Sequence, residues 1–190
     1  MKKKEFNPEI LIDNVFSILT KIQNNPEKFE NIFTELFEED FQLQLNDINQ
    51  LKNGLLKGLI ISVKDLFDVK GYKTRGGSKF LNPEICLKDA ECISLIRTAG
   101  GLLIGHTNMT ELAYSGLGIN PHYGTPLNPI YKGAIPGGST SGGAVSISLD
   151  ISDITIGTDT GGSTRIPAAF TGITGFKPTH DEIARKGVLG

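Results

Sequence analysis

Apolar residues recur at helical spacing through the first 53 positions of the chain. From Pro8, which suits a first helical turn, the pattern predicts an amphipathic helix with an apolar face of Ile10, Leu11, Val15, Ile18, Leu19 and Ile22. Asn25 before Pro26 is typical of a helix start, and a second helix is predicted from the stripe Phe29, Ile32, Phe33, Leu36 and Phe37. A third predicted helix covers about 42–53 and ends at Gly54. We interpret these helices as packing elements without chemistry.

From residue 54 the pattern changes to short apolar runs separated by glycines. Residues 59–63 predict a buried strand, and residues 102–104 predict a second one. Between them, residues 89–99 predict a helix whose inner face carries Cys92, Ile93, Leu95 and Ile96. A short helix is predicted over 109–114, and residues 115–136 read as a long loop of the kind that wraps a functional site. Strands alternating with helices predict an α/β fold.

The last third of the chain reads as two glycine-rich loops around a buried segment, 144–156, followed by a helix at 168–171 and a strand at 172–176. All 23 glycines lie in residues 54–190. This shift predicts two parts: an N-terminal helical segment, 1–53, that packs on the core, and a glycine-rich domain over 54–190.

Composition and charge narrow the functional class. Hydrophobic residues make up 38% and charged residues 21%, as in globular proteins, and the net charge of −2 argues against nucleic-acid and membrane partners. Glu5, Pro8 and Asp13 interrupt what would be a secretory signal after the N-terminal lysines, so we expect a cytoplasmic protein. Cys86 and Cys92 match neither a disulfide framework nor a zinc site and are expected to be buried free thiols.

Candidate chemistry centres on two Gly-Gly-Ser clusters, at Ser139 and Ser163. Glycines allow a ligand to approach closely, and loop amides can meet the oxyanion that forms when a serine attacks a carbonyl. Such clusters also occur in flexible linkers, but the apolar residues between these two are not linker-like. The phosphate-binding pattern G-x-x-x-x-G-K-[ST] does not occur. The sequence therefore favours a serine nucleophile over nucleotide binding.

A serine nucleophile needs a base that activates it. His106, His122 and His180 lie in no recognisable triad motif, and G-x-S-x-G is absent, although sequence order alone does not exclude a Ser-His-Asp triad. Lys64 follows the predicted strand 59–63 directly. A lysine there is often a surface residue, but sites in α/β sheets lie at the carboxyl ends of strands, and burial favours a neutral amine. A lysine-activated serine is thus the alternative.

Three motifs resemble the amidase signature family: ISVKD around Lys64, PGGSTSGGA around Ser139 and GTDTGGSTRIPAAFTGITGFKPT around Ser163. AGGLLIGHTNMTELA and GINPHYGTPLNP are weaker matches, and the resemblance covers roughly 54–180. It implies a mixed β-sheet flanked by helices, and it makes residues 54–190 the N-terminal part of a catalytic domain of that family. It also implies a hydrolase of carbon–nitrogen bonds other than peptide bonds, with no metal and no cofactor.

The resemblance also implies a role for individual residues. Ser163 is the expected nucleophile, Ser139 the bridging serine in a cis peptide, and Lys64 the base. The expected oxyanion hole consists of the backbone N–H groups of Thr160, Gly161, Gly162 and Ser163. Independently of the family, Asp159 and Arg165 flank the nucleophile loop, and we expect them to pair and support it.

The chain departs from the family pattern in sequence and in length. Ile60 replaces a common proline, and Thr140 stands where serine is frequent. Family members run further, so we expect the fold to be incomplete at the C-terminus and completed by a complementing C-terminal half or in a homodimer. The expected substrate is a small-molecule amide. The alternatives are the glutaminase A subunit of a Glu-tRNA(Gln) amidotransferase, although GINPHYGTP with GGSTSGGA is more like a free-standing amidase, and an inactive or split-gene fragment.

Overall fold

A four-stranded mixed sheet, in the order β1-β3-β2-β4, organises the chain. The computed structural model describes residues 7–46 and 54–190. The strands are β1 (Phe33–Leu36), β2 (Ile60–Lys64), β3 (Leu102–Thr107) and β4 (Ile154–Ile156). β1 runs antiparallel to β3, whereas β2 runs parallel to both β3 and β4. The mixed sheet predicted from the sequence is confirmed.

Helices cover both faces of this sheet. They are α1 (Pro8–Asn24), α2 (Pro26–Phe29), α3 (Glu38–Asn46), α4 (Glu91–Thr98), α5 (Ser141–Ser148) and α6 (Arg165–Thr171). Side chains alternate along a strand, so Ile60 packs with residues of α1 and α5, and Ile61 packs with residues of α4. Within the described ranges, no helix combines the length and the apolar character that crossing a membrane requires.

The N-terminal part agrees with the sequence at its first helix and differs at the second. Asn7 caps α1 by accepting the Glu9 N–H at 2.9 Å, and Val15 is buried as predicted. The predicted second helix is wrong beyond Phe29, because the following residues form β1. Asn31 has φ 64°, which ends the helical path, and pairing with β3 then decides the conformation.

The third predicted helix begins earlier than expected. α3 starts at Glu38 rather than near residue 42 and is described to Asn46. Its predicted continuation over residues 47–53 lies outside the described residues.

The predicted strand–helix–strand unit is confirmed as β2, α4 and β3, with two differences. Leu95 is 61% exposed and does not belong to the inner face of α4. β3 continues past the predicted residues 102–104 to Thr107, so His106 lies inside this strand. Of the two thiols, Cys92 is buried and Cys86 is half-buried, and both are free.

Three further predictions on the C-terminal side change. The predicted helix over 109–114 shrinks to a 3₁₀ turn, Glu111–Ala113. The first glycine cluster is only partly a loop, since Gly142 and Gly143 lie in α5. The predicted strand 172–176 is wrong: Gly172 ends α6 in a left-handed conformation, and the next residues pair with no strand of the described sheet. The predicted helix at 168–171 is the second half of α6.

Candidate active site

Lys64 is the last residue of β2, a strand that lies between β3 and β4. Its side chain is fully buried, and Nζ lies 2.7 Å from Ser139 Oγ and 2.8 Å from Thr158 Oγ1. Burial lowers the pKa of Lys64 to about 7, an effect that the negative charge of Asp159 partly offsets. A substantial fraction of the amine is therefore neutral near pH 7 and can accept a proton.

Ser139 sits in a segment that is held by backbone hydrogen bonds. The Gly138–Ser139 peptide is cis, in agreement with the resemblance. The Ser139 carbonyl accepts the Thr110 N–H at 3.0 Å, and the Gly138 N–H donates to the Gly116 carbonyl at 2.8 Å. The chain between residues 110 and 118 thus fixes the bridging serine against Lys64.

Glycine at position 138 is required by this close packing. A Cβ there would lie 2.6 Å from the Gly118 nitrogen and 2.7 Å from Thr110 Oγ1, distances that real Cβ atoms do not reach. A larger residue at position 138 would therefore displace the backbone that positions Ser139.

Ser163 comes from the other glycine cluster, in the loop that follows β4. It is partly buried, and its carbonyl accepts the Thr140 N–H at 3.1 Å. Since Thr140 is the residue after Ser139, this bond joins the two serine-bearing loops. The structure therefore brings Lys64 into contact with Ser139 and joins the Ser163 backbone to the residue after Ser139, whereas no hydrogen bond of the Ser163 hydroxyl is formed among the described residues.

Asp159 organises the loop that carries Ser163. Its carboxylate accepts the N–H groups of Gly162 at 2.9 Å and Thr164 at 3.2 Å. The Arg165 guanidinium binds the same carboxylate through two donors, Nε at 3.0 Å and Nη2 at 2.9 Å. These hydrogen bonds, above all those of Arg165, hold the pKa of Asp159 far below its usual range. The expected Asp159–Arg165 pair is formed, and a negative charge lies permanently beneath the loop.

The amides expected to form the oxyanion hole are not equivalent. The Gly162 N–H already donates to Asp159, so it is committed to the loop itself. Among the described residues, the N–H groups of Thr160, Gly161 and Ser163 have no acceptor, and Thr160 and Gly161 are exposed. Three of the four expected donors are thus available to a ligand.

The three histidines take no part in this arrangement. His106 is fully buried, and its Nε2 donates to the Phe67 carbonyl at 3.0 Å. His122 meets Glu111 at 2.9 Å, and His180 meets Asp181 at 2.9 Å. Within 7–46 and 54–190 no histidine contacts Ser139 or Ser163, so the Ser-His-Asp alternative has no support there.

Sequence reasoning missed a second buried group beside the lysine. Asp65 is fully buried, accepts the Arg75 N–H at 2.9 Å, and lies 3.6 Å from Nδ1 of His106. Burial raises the pKa of Asp65 to about 6 and lowers that of His106 to about 4. Asp65 directly follows β2 and His106 lies in β3, two strands that are buried at every position, so no alternation of polar and apolar residues marks these side chains.

Thr158 was also missed. Its hydroxyl shares the Lys64 amine with Ser139, yet the sequence showed only that it precedes Asp159 in the GTDTGGS motif. A loop pattern does not reveal which of its side chains turns inward.

Comparison with known protein families identifies the class of protein to which this fold and this lysine–serine site belong. The family model described as Amidase matches residues 13–190. The chain therefore belongs to the amidase signature family, as the resemblance implied.

Individual relatives agree with this assignment. The chain is 39% identical to the A subunit of the Glutamyl-tRNA(Gln) amidotransferase of Methanococcus maripaludis over 181 residues, which cover 94% of this chain and 42% of that protein. It is 44% identical to Amidase 1 of Arabidopsis thaliana over 139 residues, which cover 70% of this chain and 32% of that protein. The chain thus spans about two fifths of the length of the first curated relatives that it matches.

Solved structures show the same fold. A crystal structure of an amidase superimposes on this chain with a TM-score of 0.84 at 36% identity. The superposition covers 97% of this chain and 42% of the amidase chain. A peptide amidase in complex with the competitive inhibitor chymostatin superimposes with a TM-score of 0.83 at 28% identity. This superposition covers 98% of this chain and 40% of the peptide amidase chain.

Proposed function

We propose that this chain carries the reactive centre of an amidase that hydrolyses the carbon–nitrogen bond of a small amide through an acyl-enzyme on Ser163. The observation that supports the proposal best is the 2.7 Å contact between the buried Lys64 amine and Ser139 Oγ. A buried amine with a pKa of about 7 is a usable base at neutral pH. Its partner is Ser139, and the next residue, Thr140, donates its N–H to the Ser163 carbonyl.

We propose a proton path whose first step is supported by the Lys64–Ser139 contact. Neutral Lys64 accepts the proton of Ser139, and Ser139 accepts the proton of Ser163. The Ser163 oxygen then forms a bond to the amide carbon, and the negative charge that develops on the carbonyl oxygen is met by the loop N–H groups. When the carbon–nitrogen bond breaks, the proton returns from Lys64 through Ser139 to the leaving amine. Water then hydrolyses the ester with the same relay.

A second candidate function is the glutaminase step of a Glu-tRNA(Gln) amidotransferase. The names of the first curated relatives favour it. In that case the amide is the side chain of glutamine, and the ammonia passes to an associated partner protein. The same relay serves both functions, so the distinction lies in the substrate and in the partner.

A partner also bears on the completeness of the site. Thr160 and Gly161 are exposed, and one edge of β4 is unpaired within the described residues. We infer that further polypeptide, from a complementing segment or from a second copy of the chain, covers this side of the site and contributes to the substrate pocket. A chain that stays inactive with every such partner would be an inactive fragment.

The test is labelling of the 190-residue chain with a serine-directed fluorophosphonate, followed by mass-spectrometric mapping of the adduct. We expect an adduct on Ser163 and a labelling rate at least roughly a hundredfold lower in Lys64→Met and in Ser139→Ala, because each variant removes general-base assistance. Ser148→Ala is the matched control, since its hydroxyl bonds the Thr171 carbonyl on the far end of α5.

Two outcomes would contradict the proposal: a folded chain that gives no adduct on Ser163, and an adduct whose rate Lys64→Met leaves unchanged. Ammonia release from glutamine, compared with release from a simple aliphatic amide, then separates the glutaminase from the free-standing amidase.

A further inference from the structure

Lys64 Nζ has two hydrogen-bond partners among the described residues, and the relay uses one of them. Ser139 Oγ lies 2.7 Å away and belongs to the relay, whereas Thr158 Oγ1 lies 2.8 Å away and has no role in it. The amine is fully buried, so within this part of the chain nothing else orients it.

The chemistry of a neutral amine makes this second partner important. Such an amine has two N–H groups and one lone pair, and it can deprotonate Ser139 only when the lone pair points at that hydroxyl. With the lone pair turned away, the amine donates to Ser139 instead and cannot accept its proton. A hydrogen-bond acceptor on the other side of the nitrogen selects the productive orientation.

We propose that Thr158 is the positioning residue of the relay: its hydroxyl oxygen accepts an N–H of Lys64 and so directs the lone pair toward Ser139. This inference rests on the proposed function. Thr158 is itself fixed by the nucleophile loop, because Thr164 Oγ1 donates to the Thr158 carbonyl at 3.3 Å and the next residue, Asp159, binds Arg165. The orientation of the base is therefore tied to the loop that carries Ser163.

Thr158 also affects the proton affinity of the lysine. A charged ammonium donates stronger hydrogen bonds than a neutral amine, so an acceptor stabilises the charged form more. Loss of the Thr158 oxygen should therefore lower the pKa of Lys64 further, in the same direction as burial. A purely structural role for Thr158 would not produce this shift.

The experiment compares Thr158→Val, which keeps the shape and removes the acceptor, with Thr158→Ser, which keeps the acceptor. The matched control is Thr155→Val on β4, where the hydroxyl bonds the Ser62 carbonyl and does not contact Lys64. Two quantities are measured: the titration midpoint of Lys64 from its ¹³Cε signal, assigned by its loss in Lys64→Met, and the pH dependence of fluorophosphonate labelling of Ser163.

In Thr158→Val we expect the midpoint of Lys64 to fall by roughly one pKa unit, since hydrogen bonds to charged groups are among the stronger ones. The acid limb of the labelling profile should move by the same amount, and the plateau rate should drop about tenfold because the lone pair loses its orientation. Thr158→Ser should restore the profile, and Thr155→Val should match the wild type.

Different results overturn different claims. A slower Thr158→Val with an unchanged Lys64 midpoint would show a merely structural residue and overturn this inference, as would a Thr158→Ser variant that fails to restore the profile. A wild-type chain that is not labelled at Ser163 would overturn the proposed function, and the positioning role with it.

Discussion

At the residue scale, the burial of Lys64 has a consequence for stability as well as for reactivity. In the unfolded chain its pKa is the ordinary 10.5, and in the folded chain burial lowers the pKa to about 7. Between these two values the unfolded state binds more protons than the folded state. The free energy of unfolding contributed by Lys64 therefore rises as the pH increases from 7 to about 10.

We predict that the wild type gains roughly 3 kcal/mol more stability than Lys64→Met between pH 7 and pH 10, since the variant lacks the titrating amine. Urea denaturation of both proteins at a series of pH values measures this difference. Because both share every other titrating group, those contributions cancel in the comparison. Parallel stability curves for the two proteins would show that Lys64 is not buried as an amine of lowered pKa.

How far single residues can be predicted from the sequence depends on how local the signal is. Lys64, Ser139 and Ser163 can be selected as candidates from the sequence because each stands at a fixed place in a short motif, after a strand or after two glycines. Thr158 and the facing pair Asp65 and His106 cannot, because their contacts join segments far apart in the chain. Which loop side chain turns toward a buried amine is decided by tertiary packing.

At the element scale, the docking of α5 on the sheet limits which residues its first turn can contain. The Gly142 N–H donates to the Asn108 carbonyl at 2.9 Å, and the Asn108 N–H donates to the Ile32 carbonyl at 2.9 Å. A Cβ at position 142 would lie 2.2 Å from the Ile32 oxygen. The first turn of the helix thus packs against the backbone just before β1 and just after β3.

Gly142→Ala tests this close approach because two effects of opposite sign compete. In an exposed helix the change would stabilise by about 1 kcal/mol through helix propensity. Here we predict a net loss of roughly 2 kcal/mol or more, since overpacking against backbone cannot be relieved by a side-chain rotation. Thermal or urea unfolding gives the answer. Gly161→Ala is the control for stability, because nothing lies within 4 Å of its Cβ position. A stabilised Gly142→Ala would contradict the geometry.

The same elements show where sequence patterns lose information. Glycines 142 and 143 read as loop because glycine disfavours helices, yet they lie in a helix that requires them for close packing. The apolar stripe from Phe29 to Phe37 fits helical spacing, but Phe33 and Leu36 lie in β1, since strand pairing with β3 overrides the local pattern. The strands β2 and β3 are predicted correctly because buried central strands are continuous apolar runs.

At the scale of the whole molecule, apolar side chains stand on the surface near the C-terminal end of α6. We define the 127–131 patch as Leu127, Ile130, Tyr131 and Phe170, whose exposed fractions are 63%, 49%, 65% and 42%. The Asn128 amide nitrogen donates to the carbonyls of Ile135 and Phe170, and its oxygen accepts the N–H groups of Ile130 and Tyr131. The patch is therefore a fixed surface that is held against α6.

A fixed apolar surface of this kind predicts concentration-dependent association of the 190-residue chain, because contact between copies removes the patch from water. We expect sedimentation velocity to show a larger average mass at tenfold higher concentration, and the double variant Leu127→Glu, Tyr131→Glu to remain monomeric under the same conditions. Leu55→Glu is the matched control, since Leu55 is 95% exposed but precedes β2, at the opposite end of the strand from Lys64.

If the wild type stays monomeric throughout, the patch drives no self-association. If Leu55→Glu suppresses association as strongly as the double variant, added charge rather than the patch is responsible. Retention of association in the double variant would assign the contact to another surface, of which the unpaired edge of β4 is the next candidate.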